Sequence, residues 1–79
     1  MKSNVNHNHY EAAKWKAIHS INRNVRMHNW CMKRFEQTGY TFYTFMAMYH
    51  MDAANRIARD WGMRITNYSD SHIEVRDLG

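Results

Sequence analysis

Proline is absent from this 79-residue chain, and only three glycines and one cysteine occur. Disordered linkers are normally rich in proline and polar residues, so the composition argues against one. The single cysteine, Cys31, cannot form an internal disulfide, and no Cys and His set has the spacing of a structural zinc site. The chain is 44% hydrophobic with three Trp, five Tyr and three Phe, which predicts one small domain with an aromatic core.

Long apolar runs are also missing. The most apolar stretch, residues 42–51, is interrupted by Thr44 and His50 and is far shorter than a bilayer-spanning helix. The N-terminus lacks the apolar core of a secretory signal, and a lone cysteine suits a reducing compartment. We therefore expect a cytoplasmic protein with no membrane contact. Because so short a chain builds only a thin core, self-association into a homodimer is a natural way to extend it, which we keep as a hypothesis.

Acidic residues are scarce in the first half of the chain. Residues 1–35 contain seven Lys and Arg residues against one acid, Glu11, which gives a net charge of +6. Residues 36–79 carry a net charge of −2. An asymmetry of this kind bears on partners rather than on fold, and it predicts that the N-terminal half attracts phosphate groups.

Hydrophobic spacing predicts a helix near the start of the chain. Residues 1–8 read as a flexible polar lead, and residues 9–79 as a single α+β domain. Asn8, with Glu11 three residues later, is typical of a helix start. We expect this helix to loosen between residues 20 and 24, where Asn and Ser compete for backbone hydrogen bonds. Its expected apolar face consists of Ala12, Trp15, Ile18 and Ile21.

The next segment is compatible with two structures. A continued helix would suit the 4-3-4-3 spacing of Ile21, Val25, His28, Met32 and Phe35. However, residues 37–39 form a turn signal, and residues 40–45 consist only of strong β formers. We therefore favour a β-hairpin that pairs residues 27–35 with residues 40–45.

The C-terminal elements carry stronger signals. Residues 52–61 have the spacing of an amphipathic helix, and Gly62 supplies a left-handed stop. Residues 63–67 and 72–76 alternate apolar and polar side chains, which predicts an antiparallel hairpin. The side chains expected to face the core are Ala53, Ala54, Ile57, Ala58, Trp61, Ile65, Ile73 and Val75.

The element order α-ββ-α-ββ predicts a small single α+β domain in which helices cover one face of an antiparallel sheet. The alternative is two long helices, residues 9–37 and 41–61, followed by the C-terminal hairpin.

Cationic residues interleaved with aromatic and amide side chains form the strongest functional signal. On a helix, Lys16, His19, Arg23 and Arg26 would share one continuous face. Lys and Arg neutralise phosphates, and Trp30 could stack on an unpaired base. The predicted nucleic-acid-binding residues are Lys14, Lys16, His19, Arg23, Arg26, His28, Trp30, Lys33 and Arg34.

RNA is the favoured partner because no helix-turn-helix, zinc-finger or homeodomain pattern is visible, whereas aromatic and polar donors suit splayed bases and 2′-hydroxyls. Two alternatives remain open for the same residues. They could form a solvated basic face, or they could dock on an acidic host protein without any nucleic acid.

Six histidines also raise the question of metal binding or nuclease chemistry. His19, His28 and Lys16 could be gathered into a ribonuclease site, yet scattered histidines nearly always allow such a grouping. Two short-spaced pairs lack the second pair of ligands that a specific metal site needs, namely His7 with His9 and His28 with Cys31. We therefore predict no metal, no cofactor and no enzymatic activity, and keep a small nuclease as the remaining class.

Short length, an Asn-, His- and Lys-rich opening, and the passage from Tyr40–Phe45 to Asp52–Gly62 resemble small accessory proteins of T-even-type bacteriophages. The resemblance implies a protein that disarms host defences in the host cytoplasm by binding a host protein or nucleic acid. One such kind is the antitoxin-like inhibitor of a ribonuclease toxin, which would combine an RNA-holding surface with a toxin contact. The resemblance implies no particular site residues.

Overall fold

The computed structural model describes the backbone of residues 2–79 and the side chains of residues 9–79. The elements are helix α1 (Lys2–Thr38), helix α2 (Thr41–Asp60), strand β1 (Met63–Ser69) and strand β2 (His72–Asp77). The two strands form an antiparallel sheet. The chain is thus a small α+β domain of two helices followed by one hairpin, the arrangement that the sequence allowed as its alternative. The predicted flexible lead and the capping residue Asn8 lie outside the residues whose side chains are described.

α1 continues past residue 24 because its apolar side chains keep a helical spacing. Ile21 and Val25 are fully buried, and Cys31 is buried further along the helix, as expected for a packing residue. The predicted loosening near Asn24 does not occur. Its Nδ2 donates to the Ser20 carbonyl at 2.9 Å within the helix, and its Oδ1 accepts a hydrogen bond from His50 Nδ1 at 2.9 Å. Asn24 therefore links α1 to α2.

The predicted hairpin between residues 27–35 and residues 40–45 is wrong, because both segments are helical. The predicted turn near residues 37–39 is present, since Gly39 has a φ of +72°, a conformation that favours glycine. The turn joins two antiparallel helices through Gly39 and Tyr40 rather than two strands.

Packing explains why α2 forms in place of a strand. Strand propensity is weak and depends on context, so burial can override it. Ala54 and Ala58 are buried, and the same side of the helix carries buried Ala47 about two turns before Ala54. As a helix, residues 41–60 place these small side chains on the side of α2 that packs against α1.

The C-terminal hairpin is confirmed close to its predicted bounds. Gly62 has a φ of +64° directly after α2, and Ile65 pairs with Val75 across the two strands. The hairpin closes the core that the two helices begin. The buried members of this core are Ile21, Val25, Ala54, Ala58, Met63 and Ile65, with Ile18, Ile57, Trp61, Ile73 and Val75 packed against them.

Polar contacts tie both ends of the hairpin to α1. Lys14 Nζ donates to Asp77 Oδ2 at 3.0 Å, at the end of β2. At the hairpin tip, Asn29 Nδ2 donates to the Tyr68 carbonyl at 2.8 Å and to Asp70 Oδ1 at 2.7 Å. The hairpin and α2 therefore cover two sides of α1 and leave its remaining side to solvent.

Candidate nucleic-acid interface

A line of exposed side chains follows the uncovered side of α1. Its members are three or four residues apart, the spacing that keeps residues on one face of a helix. At 1.5 Å per residue the line is about 32 Å long. Each member is exposed in the folded chain. We name this line the cationic stripe; it consists of Lys16, His19, Arg23, Arg26, Trp30, Lys33 and Gln37.

Carboxylates of the same chain do not neutralise the stripe. Among the residues with described side chains, none of its four Lys and Arg residues forms an ion pair. Residues 1–8 contain no acidic side chain, so they supply no counter-charge either. The ion pairs lie elsewhere, between Lys14 and Asp77, Arg56 and Asp52, His72 and Glu74, and Arg76 and Glu74.

Three predicted site residues lie off the stripe, namely Lys14, His28 and Arg34. Lys14 is paired with Asp77 at the base of the hairpin. His28 is half-buried, and its Nδ1 donates to Asn29 Oδ1 at 2.9 Å. Because Asn29 in turn holds the hairpin tip, Lys14 and His28 support the packing of the hairpin on α1 and do not extend the exposed face.

Trp30 is the aromatic centre of the stripe, and its side chain is 52% exposed. The Arg34 guanidinium carbon lies 6.0 Å from the Trp30 ring centre and 5.6 Å from that of Tyr43. Arg34 Nη1 also donates to Gln37 Oε1 at 3.0 Å. Cation–π attraction and this hydrogen bond hold Arg34 beside the stripe, in a fixed position next to the exposed indole.

Grooves lie on both sides of Trp30. One, of about 450 Å³, is lined by Trp30, Lys33, Arg34, Gln37 and Tyr43. The other, of about 570 Å³, is lined by Arg26, Met27, Trp30 and Asp70. The first groove combines a flat aromatic surface with two cations, the combination that proteins use to stack a base and neutralise its phosphate. In the second groove the carboxylate of Asp70 accompanies the single cation Arg26.

A second exposed aromatic lies next to the stripe. The expectation that Trp15 faces the core is wrong, because its side chain is 64% exposed and stacks on His19 with ring centres 4.9 Å apart. Residues spaced by three drift about 60° per step around a helix, so four of them cannot share one face. Ile18 and Ile21 pack toward the core, whereas Ala12 is exposed.

Sequence reasoning missed two side chains of this surface. The turn signal over residues 37–39 includes Gln37, although its position seven residues after Trp30 places it on the same helix face. Tyr43 was assigned to a strand. Tyr43 reaches Trp30 only because α2 folds back on α1, and the sequence carries no local signal of that contact.

Within the described side chains, no three His, Cys, Asp or Glu residues lie close enough to hold a metal ion, and His7 falls outside that part. No helix there is both long and apolar enough to cross a membrane. Comparison with known proteins gave no matching family model, no matching curated protein and no matching solved structure. The bacteriophage resemblance therefore stays a prediction.

The Lys14–Asp77 contact gives a prediction about pH. The hydrogen bond from Lys14 to Asp77 raises the pKa of Lys14 above its ordinary value of 10.5, with a smaller opposing effect from burial. The pair therefore contributes fully to the free energy of unfolding below about pH 10.5 and loses that contribution as the pH rises through the raised pKa. Urea unfolding of the wild type and of Lys14→Met should differ at pH 8 to 9, and the difference should shrink as the pH rises above 10.5.

Asp77→Asn is the matched variant, because it removes the same contact from the other side. It should show the same convergence at high pH. A stability difference that stays constant up to about pH 12 would mean that Lys14 is not held by Asp77.

Proposed function

We propose that this protein binds single-stranded RNA along the cationic stripe of α1, with Trp30 as a stacking platform. One observation carries the proposal: four cations without ion-pair partners among the described side chains share one exposed helix face with an exposed indole. Lys and Arg on such a face displace the counterions of a nucleic-acid backbone, which drives binding and makes it depend on salt.

The grooves beside Trp30 favour unpaired bases. An unpaired base can stack on the indole while the guanidinium of Arg34 and the amide of Gln37 reach its edges or its sugar. In duplex RNA the bases are stacked on each other, and the major groove is too narrow for side chains to read. The major groove of duplex DNA does admit a helix, so duplex DNA is the competitor to compare.

An acidic protein is the alternative partner, because carboxylates would be attracted to the same cations. The groove in which Trp30 adjoins Lys33 and Arg34 supports RNA, since an unpaired base can stack on the indole while the cations neutralise its phosphate. Capture of an acidic protein by the stripe, without any affinity for RNA, would establish the alternative.

Neutralisation of a host ribonuclease toxin is the narrower form of the proposal. It is supported by the resemblance to bacteriophage accessory proteins and by the division of charge between the two halves of the chain. In this form, RNA held on the stripe would bridge to the toxin in the cytoplasm of the host cell. No enzymatic activity is proposed for the chain itself.

Replacement of the stripe cations by Gln should abolish salt-sensitive RNA binding. With four phosphates neutralised, the affinity of the wild type should fall about 50-fold between 50 and 200 mM salt. The quadruple variant Lys16→Gln, Arg23→Gln, Arg26→Gln, Lys33→Gln should bind weakly and lose most of this dependence. Fluorescence anisotropy with a labelled single-stranded RNA, repeated with duplex RNA and duplex DNA of equal length, measures both effects.

The matched control removes the same charge from other faces, with Arg56→Gln, Arg59→Gln, Arg64→Gln and Arg76→Gln. This variant should keep most of the affinity, although its net charge is equal to that of the stripe variant. Equal losses in the two variants would show that only overall charge matters. A stronger affinity for duplex DNA than for single-stranded RNA would also contradict the proposal.

Removal of the Trp30 ring should weaken binding through lost stacking. A stacked base contributes about 1–3 kcal/mol, so Trp30→Ala should lower the affinity for single-stranded RNA by about 5- to 150-fold, and Trp30→Phe by less. Circular dichroism must show unchanged helix content, because Trp30 also contacts Tyr43.

An abasic oligonucleotide of the same length separates stacking from charge. The wild type should bind it more weakly than RNA, and Trp30→Ala should cause little further loss. If Trp30→Ala weakens the abasic strand and the RNA equally, the indole does not act as a stacking platform.

A further inference from the structure

Large apolar side chains are exposed on α2, on the side away from α1. Phe42, Phe45 and Tyr49 lie at positions i, i+3 and i+7, Met48 precedes Tyr49, and Tyr40 is the residue directly before the helix. Their exposed fractions are 63% for Phe42, 67% for Phe45, 65% for Tyr49, 68% for Met48 and 67% for Tyr40. We name these five residues the α2 patch. Contiguous apolar surface of this kind on a small protein marks a site of association.

The α2 patch carries no charge. No Lys, Arg, Asp or Glu occurs between residues 40 and 51, and His50 points back to Asn24 of α1. The next two turns on the same side of α2 are polar and balanced, with two acidic and two basic residues, Asp52, Arg56, Arg59 and Asp60. This face therefore has neither the positive charge that RNA requires nor the basic border of a membrane-surface helix.

We infer that the α2 patch is the interface of a homodimer, in which two copies of α2 pack antiparallel about a twofold axis. In a twofold pair the same patch lies on both chains, so a neutral apolar face meets a neutral apolar face. In this antiparallel arrangement the apolar turns of the two copies face each other, and the charged turns from Asp52 to Asp60 lie outside the contact. The net charge of +4 on each chain is carried away from this contact, because the cationic stripe lies on α1 and residues 40–51 contain no Lys or Arg.

The exposed area of the α2 patch is large enough for a homodimer interface. A fully exposed aromatic side chain presents roughly 200 Å². Four aromatic residues and Met48 at about two-thirds exposure supply at most roughly 650 Å² per chain, or about 1,300 Å² for the pair, near the lower limit of stable interfaces. An interface near this limit predicts a weak dimer that dissociates on dilution. The inference does not depend on RNA binding.

Sedimentation equilibrium of the full chain at about 0.15 M salt tests the dimer. The wild type should pass from 9.6 kDa to twice that mass as its concentration rises through the micromolar range. Phe45→Glu should raise the dissociation constant at least about tenfold, because it places a charge at the centre of the interface. Met48→Glu is a second variant at the same centre, in case Phe45→Glu fails to fold.

Leu78→Glu is the matched control, since Leu78 is 66% exposed and lies after β2, outside the α2 patch. Its dissociation constant should equal that of the wild type. A wild type that stays monomeric at about 200 µM would overturn the inference, as would Phe45→Glu and Met48→Glu variants that dimerise normally. A monomer that instead binds phosphatidylcholine vesicles would assign the patch to a lipid surface.

Discussion

The packing of α1 against α2 is the constraint on which the rest of the structure depends. Ile21 and Val25 of α1 share one core with Ala54 and Ala58 of α2, and the small alanine side chains let the helices lie close together. This core decides which side of α1 is buried. Because residues 16–37 form one unbroken helix, the opposite side is a single exposed line, and the cations on it cannot be dispersed around the molecule.

Polar and aromatic contacts determine which Lys and Arg side chains remain free to bind a partner. Lys14 fastens the hairpin to α1, and Arg34 is held by Trp30, Tyr43 and Gln37, so neither behaves as an independent surface charge. The stripe itself is left to solvent. The α2 patch lies on the other helix and carries no charge. The two surfaces thus suit different partners, a polyanion for the stripe and a second copy of the chain for the patch.

Sequence patterns predicted the elements whose signals are local. Apolar and polar side chains alternate over β1 and β2, and with Gly62 before them this pattern was sufficient to predict the hairpin. Helical spacing likewise placed Lys16, His19, Arg23 and Arg26 on one face. The error between residues 27 and 45 has a physical cause. Aromatic and Thr side chains favour strands locally. The buried alanines of α2 stabilise the helix only when α1 packs against them, and a local pattern does not show that contact. The same non-local contact brings Tyr43 to Trp30, which no local pattern predicts.

Backbone NMR of residues 27–45 tests the continuity of α1 most directly. We expect ¹³Cα chemical shifts downfield of random-coil values from Met27 to Thr38 and again from Thr41, interrupted only at Gly39 and Tyr40. Upfield shifts over residues 27–35 and 40–45, with cross-strand contacts between them, would contradict the account. In that case Trp30 and Lys33 would leave the face of Lys16, and the stripe would not exist.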